Sequence, residues 1–301
     1  MVAVGGDSGT GKSTLSAGLH AIFGPDRIVE ICLDDYHGLD RAQRKAVGLT
    51  ALNPRANDFA AMEEDLWQLA HGSAIEKPVY DHTDGTFGPR EVLEPKPIVI
   101  VHGLFPLFTR ALRALFDVSV WLDPQLELKV AWKIQRDLAQ RGYAEREVRE
   151  EIARRQPDID AFISPQQAQA DLCVRFSRPH PDTDNAKLNT QIVKGGRFRP
   201  LDYAQFASRS THLRQITGGE GPYPRTVIEL DGDIDEETAR AVRDEILRHM
   251  GPRHAGLNSE HVGIFRDARG ERVSQTLALA QLLIARRICL VLDELENALA
   301  A

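Results

Sequence analysis

Short apolar runs alternate along the chain with stretches whose apolar residues recur every three or four positions. The first kind reads as buried strands and the second as amphipathic helices. Val2-Ala3-Val4 opens the series. A helix is expected over 12–23, with Leu15, Leu19 and Ile22 on one face. Residues 27–33 form the next strand, ending in the acidic pair Asp34-Asp35, and a polar loop follows over 37–57. A helix is expected over 59–70. Pro95-Lys96-Pro97 introduces a buried strand at 98–101, and 116–122 reads as another. Helices are expected over 124–141 and 145–155. Residues 179–187 are polar and turn-rich, which suggests a joint. Beyond it come a strand at 226–230, a helix over 235–250 stopped by Gly251-Pro252, and a last helix over 274–298. Strands alternating with helices in this way predict an α/β fold with a largely parallel sheet.

One connection carries chemistry on its face. Gly6-Asp7-Ser8-Gly9-Thr10-Gly11-Lys12-Ser13-Thr14 fits G-x-x-x-x-G-K-[ST], a phosphate-binding loop between a strand and a helix. Glycines let the backbone N–H groups turn inward around a phosphate. Lys12 supplies positive charge to the outer phosphates, Ser13 can hold Mg²⁺, and the helix adds its positive N-terminal end. A nucleotide and Mg²⁺ are therefore expected as ligands, though the loop alone does not separate a kinase from a GTPase or a motor.

Bulk properties narrow the class. The 301 residues are 42 % hydrophobic and 27 % charged, with a net charge of −7. That balance argues against nucleic-acid binding through a basic surface. Cys32, Cys173 and Cys289 are widely spaced, which suits a reducing cytoplasm and gives no disulfide or zinc pattern. Met1 leads straight into the first strand, so no leader is expected, and that strand reads as clipped at its start. The apolar stretch 277–292 is interrupted by Arg286 and Arg287, so a buried or subunit-facing helix is expected there rather than a membrane span. A homodimer or higher homo-oligomer is one consequence of that helix, and core packing is the other.

The second strand end bears on which nucleotide chemistry is served. A carboxylate at the C-terminal end of a parallel strand faces the ligand crevice, where Asp34 could take a proton from an attacking hydroxyl. Capping of a turn is the alternative for Asp34 and Asp35. Further on, Lys133, Asp137 and Arg141 recur at i, i+4 and i+8 with Arg136 beside them, so one helix face could meet a phosphate. A solvated face laced with ion pairs is the alternative there.

Longer motifs separate these readings. Asp34-Asp35-Tyr36-His37-Gly38-Leu39-Asp40-Arg41, Leu49-Thr50-Ala51-Leu52-Asn53-Pro54-Arg55-Ala56-Asn57-Asp58-Phe59 and Glu76-Lys77-Pro78-Val79-Tyr80-Asp81-His82 resemble the phosphoribulokinases of the phosphoribulokinase/uridine kinase family. So do Lys133-Ile134-Gln135-Arg136-Asp137 and the stretch from Arg154 to Ile163. The resemblance is close over about 2–175, weak over 180–225, and visible again at Gly263-Ile264-Phe265-Arg266-Asp267 and the last helix. It is nearer to the plant and cyanobacterial type. It implies a P-loop kinase core over 1–178 and a C-terminal α+β extension over 179–301 that completes the sheet and can serve as a subunit interface. It implies ATP-dependent phosphorylation of ribulose 5-phosphate at its C1 hydroxyl. Asp34 is then the base, His37, Arg41, Tyr80 and His82 lie at the sugar phosphate, and Lys133, Arg136, Asp137 and Arg141 close over the triphosphate.

Two positions depart from the family pattern. Ile100-Val101-His102-Gly103-Leu104-Phe105-Pro106 carries His102 where the family has a Glu near Mg²⁺. Imidazole is a poor ligand for this hard cation. Either Ser13, water and phosphates hold the metal, or another carboxylate such as Asp35 compensates. Thr10 stands where redox-regulated members carry a loop cysteine, so Cys32 has no partner for that switch and is expected as a buried strand cysteine. A nucleotide-binding regulator with weak or lost catalysis, and a kinase for another sugar phosphate or uridine, remain as alternatives. The His37, Arg41, Tyr80 and His82 set argues against a nucleoside, which would leave those charges unpaired.

Overall fold

The computed structural model describes residues 1–141, 144–194, 206, 210–218, 225–254 and 256–300. In chain order the first half contains β1 (Val2–Gly5), α1 (Lys12–Phe23), β2 (Ile28–Cys32), α2 (Arg41–Ala46), α3 (Phe59–Ala70), β3 (Ile75–Lys77), β4 (Tyr80–Asp81), β5 (Thr86–Phe87), β6 (Glu91–Leu93) and β7 (Ile98–Gly103). Then come α4 (Arg110–Ala114), β8 (Val118–Leu122), α5 (Leu126–Arg141), α6 (Glu145–Asp158), β9 (Leu172–Ser177) and β10 (Asn189–Lys194). The remainder is β11 (Leu213–Gly218), β12 (Arg225–Leu230), α7 (Glu236–Arg248), β13 (Ile264–Asp267), β14 (Gly270–Val273) and α8 (Gln275–Ala300). Two compact units share these elements, and they interleave along the chain. One comprises Met1–Lys12, Arg27–Ser119 and Val130–Ala170, and the other Ser13–Asp26, Val120–Lys129 and Asp171–Ala301.

In the first unit β7 lies between β1 and β2 and is parallel to both. The register aligns Gly5 with Gly103 and Cys32 with His102, so the C-terminal strand ends finish at one level. α3 starts where Asp58 accepts the N–H of Ala61 at 3.0 Å, an N-cap that the sequence places just before the apolar periodicity. Its Met62, Leu66 and Leu69 pack with Ile31, Val99 and Val101. Each such buried side chain stabilises the fold by roughly 2 kcal/mol relative to exposure. The polar stretch expected as a loop over 37–57 is ordered by its own side chains. Asp40 and Gln43 form a capping box on α2, and Asn57 donates to the carbonyls of Ala51 and Asn53. Thr50 Oγ1 and Asn53 Nδ2 donate to Asp158 at 2.6 and 3.2 Å, tying the stretch to the end of α6. α6 runs three residues past its expected end. Pro157 lacks an N–H, and the chain passes into one π-helical turn at Ile159–Ile163.

In the second unit β8 pairs in parallel with β9, while β9, β10, β12 and β11 are antiparallel in that order. Only β12 of these last four was expected from the pattern. α7 is capped by Asp235, which accepts the N–H of Thr238 at 2.8 Å. α8 buries Leu277–Cys289 almost without interruption and packs on α7 and β10. It is long and apolar enough to cross a membrane, yet 83 % of its most apolar window is buried within the protein. Gln281 docks it on α1. Its Nε2 donates to the Thr14 carbonyl at 3.0 Å, its Oε1 accepts from Gly263 N at 2.7 Å, and a side chain at Gly18 would overlap it. The segment expected as a joint is pinned, because Asp184 pairs with Arg269 and Arg272 on the β13–β14 hairpin.

Candidate active site

The phosphate loop joins β1 to α1. Gly9 and Gly11 sit at φ of 84° and 93°, a region that side chains rarely adopt, which is why glycine recurs there. Lys12 Nζ donates to the carbonyls of Gly6 and Asp7 at 2.8 and 2.9 Å, so its ammonium sits inside the loop's curl. Burial lowers its pKa, against the opposing pull of Asp34 and Asp7. Ser8 N donates to Asp7 Oδ1, and Thr10 Oγ1 donates to the Asp7 carbonyl at 2.9 Å. Ser13 and Thr14 follow in the first turn of α1.

Asp34 stands just past the C-terminal end of β2. Its Oδ1 accepts the N–H of Leu104 at 3.1 Å. Burial alone would raise its pKa, but the Lys12 ammonium, with His37, His82 and His102 in range, more than offsets this and holds the carboxyl below the usual range. The group is therefore an ionised, oriented acceptor. The strands approach closely here: a Cβ on Gly103 would lie 2.8 Å from Leu33 Cβ and 3.2 Å from Asp34 Oδ1. His102, beside it, is paired in register with Val4 and Cys32. Burial lowers its pKa despite the carboxylates of Asp34 and Glu30, so it is neutral at pH 7. Burial likewise raises the Cys32 thiol, which is protonated and inert.

Asp35, expected as a metal ligand, has both oxygens engaged. Oδ2 accepts from Lys77 Nζ at 2.7 Å and Oδ1 from Tyr80 N at 3.1 Å. It braces β3 and β4 against the end of β2. Among the described residues no cluster of three or more His, Cys, Asp and Glu side chains is arranged to hold a metal ion.

His37, Arg41, Tyr80 and His82 come together from two distant stretches. The Tyr80 ring lies 4.6 Å from that of His37 and 5.0 Å from that of His82, both edge-on. His37 Nδ1 bonds Asn57 Oδ1 at 2.8 Å, and burial together with Arg44 lowers its pKa to about 4. Arg41 grips the turn after β4, donating to the carbonyls of His82 and Thr83 at 2.6 and 3.3 Å.

On α5, Lys133 and Arg136 converge on Asp137. Lys133 Nζ donates to Oδ2 at 2.7 Å and Arg136 Nε to Oδ1 at 2.9 Å, with the Asp137 side chain fully buried. Arg136 Nη2 also donates to Ser8 Oγ at 3.1 Å, placing a guanidinium against the phosphate loop. The face is paired, as a salt-bridge reading of the helix requires, but it is not solvated. Arg141 ends α5, and its side chain lies outside the described residues.

A family model described as the Phosphoribulokinase / Uridine kinase family matches residues 1–183. The chain belongs to this family. Phosphoribulokinase of Synechocystis sp. is 43 % identical over 196 residues, covering 64 % of this chain and 59 % of its own. Chloroplastic phosphoribulokinase of Arabidopsis thaliana is 42 % identical over 207 residues, covering 62 % and 52 %. The chain thus spans little more than half the length of these curated relatives. A solved phosphoribulokinase from Rhodobacter spheroides aligns over 82 % of this chain and 95 % of its own, at 19 % identity and a TM-score of 0.55. At that identity the likeness speaks for the fold, which is the P-loop kinase fold.

Within this member of the phosphoribulokinase / uridine kinase family, two site residues escaped the sequence reading. Arg44 lies on a six-residue helix within the stretch expected as a loop, too short for periodicity to flag it. Lys77 falls in a quoted motif, but its pairing with Asp35 bridges 42 residues and leaves no local pattern.

Proposed function

We propose that the chain is an ATP-dependent phosphoribulokinase that phosphorylates the C1 hydroxyl of ribulose 5-phosphate. The observation that carries this is the placement of Asp34, an ionised carboxylate at the strand end, within the field of the phosphate-loop Lys12. The relatives near 40 % identity are phosphoribulokinases, which supports the same acceptor. Asp34 takes the proton of the C1 hydroxyl as its oxygen bonds to the γ-phosphorus. The bond from that phosphorus to the bridging oxygen breaks, and ADP leaves with the electron pair. Lys12 and Arg136 stabilise charge on the transferring group, for which Lys12 must exchange its loop carbonyls for phosphate oxygens. His37, Arg41, Tyr80 and His82 orient the sugar phosphate. Mg²⁺, when bound, neutralises phosphate charge. The hydroxyl of Ser13 would be its loop ligand, and Asp35 is already committed to Lys77 and Tyr80. A cytoplasmic location belongs to the same proposal, supported by cysteines that form no disulfide among the described residues.

A coupled ADP-release assay with ribulose 5-phosphate, ribose 5-phosphate and uridine tests the reading. Turnover confined to ribulose 5-phosphate is expected, and ATP binding with no such turnover refutes it. The neutral His102 supports a second reading, a nucleotide-binding regulator with weakened catalysis. A large gain in turnover on His102→Glu favours that reading. Unchanged high turnover removes it.

A further inference from the structure

Gln166 is buried, 3 % exposed, in the 3₁₀ stretch Ser164–Gln169 that follows the π-helical turn after α6. Its side-chain amide reaches back to the segment that leaves β7. Oε1 accepts the N–H of Leu107 at 3.0 Å, and Nε2 donates to the carbonyls of Leu104 and Phe162 at 2.9 and 3.0 Å. Two carbonyls on one side and an N–H on the other fix which way the amide points. The segment it grips is otherwise apolar. The Phe105 ring lies 5.4 Å from those of Phe59 and Phe108, and Phe108 lies 6.4 Å from Phe162. An amide is costly in such surroundings unless its groups are satisfied. Satisfying the backbone around it is one use for this residue, and its place beside Asp34 gives it another.

Leu104 spans the gap between the two. Its carbonyl is held by Gln166, and its N–H donates to Asp34 Oδ1 at 3.1 Å. Gly103, just before it, has no side chain to stiffen the backbone, so the direction of that N–H depends on how Leu104 is anchored from its other side. The charges of Lys12, His37, His82 and His102 bear on the protonation of Asp34, but they act through space and do not aim its carboxylate. We propose that Gln166 is a positioning residue for Asp34. By holding the Leu104 carbonyl it directs the Leu104 N–H onto Oδ1, which leaves Oδ2 turned to the acceptor hydroxyl. This rests on the reading of Asp34 as the base. The π-helical turn then has a use at the site, because it brings the Phe162 carbonyl and Gln166 together at the end of β7.

The test compares wild type with Gln166→Glu, Gln166→Met and Arg113→Gln, each alone and combined with Asp34→Asn, in steady-state turnover of ribulose 5-phosphate. Arg113 Nη1 donates to the carbonyls of Leu107 and Phe108 at 2.8 and 2.9 Å, so its variant loosens the same segment without touching Leu104. Both Gln166 variants are expected to lower kcat about 10–100-fold with little change in either KM. Arg113→Gln should keep kcat near wild type. In the Asp34→Asn background the Gln166 substitutions should cost nothing further, since the group they misalign has lost its function. Exchange of the Leu104 amide hydrogen, followed by NMR without substrate, should quicken about tenfold in the Gln166 variants and not in Arg113→Gln. A loss of kcat that multiplies with that of Asp34→Asn, or an equal loss in Arg113→Gln, overturns the inference and leaves Gln166 a structural residue. If Gln166→Met does not fold, Gln166→Glu decides on the same criteria. Leu104 exchange that depends on Gln166, in a protein with no ribulose 5-phosphate turnover, overturns the proposed function and keeps the link from Gln166 to Asp34. Turnover and exchange both indifferent to Gln166 do the reverse.

Discussion

Lys77 and Asp35 form an ion pair at 2.7 Å with side chains only 7 % and 13 % exposed, joining the β3–β6 ribbon to the end of β2. Removing one member of such a pair strands the other charge out of water. Lys77→Met is expected to lower unfolding stability by about 3–5 kcal/mol, read as a fall in the urea midpoint. Tyr80 N bonds the same carboxylate, so KM for the sugar phosphate should rise as well. A midpoint within error of wild type would show that the pair is not what holds the ribbon.

Asp34→Asn keeps the shape of the side chain and removes its capacity to take a proton. A loss of about 10²–10⁴-fold in kcat is expected, with ATP affinity little changed. Because the Asp34 pKa is held below the ordinary carboxylate range, the acidic limb of the kcat/KM profile should begin below about pH 4 for this group. A limb centred near neutrality would assign the base to another residue.

His37 carries a stability signature of its own. Its folded pKa is about 4 against an ordinary 6.5, so between those values the unfolded chain binds the extra proton. Stability from this residue is then complete above about pH 6.5 and declines as pH falls toward 4, by at most about 3 kcal/mol. Unfolding curves at pH 7 and pH 4.5 should differ less in His37→Gln than in wild type. An identical difference in both proteins would refute the assignment.

Asp137 loses stability in the same direction as His37 but over a lower pH range, and through ion pairing rather than burial. Burial pushes its carboxyl up, but Lys133 and Arg136 offset this and hold it below its ordinary value. Its contribution is complete above the unfolded value near 3.9 and is lost as pH falls through the lower folded value. Asp137→Asn should therefore destabilise at pH 7 by about 3 kcal/mol or more. It should also raise KM for ATP, because Arg136 loses the partner that aims it at Ser8. Unchanged nucleotide binding would separate α5 from the phosphate loop.

The legible parts of this chain are those whose causes are local. The phosphate loop could be read because glycine spacing, Lys12 and the following helix are contiguous. The bounds of α3 could be read because Asp58 caps it directly before the apolar repeat. The short strands β3–β6 are two or three residues each, below the length at which alternation shows, and they are held by Lys77, Asp35 and Tyr80 across the fold. Asp35 illustrates the harder limit. An acidic residue beside another at a strand end offers the same letters whether it binds a metal or a lysine, and only the fold brings Lys77 to it. The antiparallel strands β9–β11 mix charged and apolar residues on alternating faces, with signals too weak beside the turn-rich segments around them.

The end of β7 joins two neighbours with unequal freedom. Position 102 projects a side chain from a strand whose backbone pairing is indifferent to it, whereas any side chain at 103 would collide with Leu33 and crowd the carboxylate of Asp34. The side chain at 102 can therefore vary with only an electrostatic effect on Asp34, whereas the adjoining glycine must be inherited unchanged. A library randomised at both codons and selected for folded, nucleotide-binding protein would come back diverse at the first and monomorphic at the second.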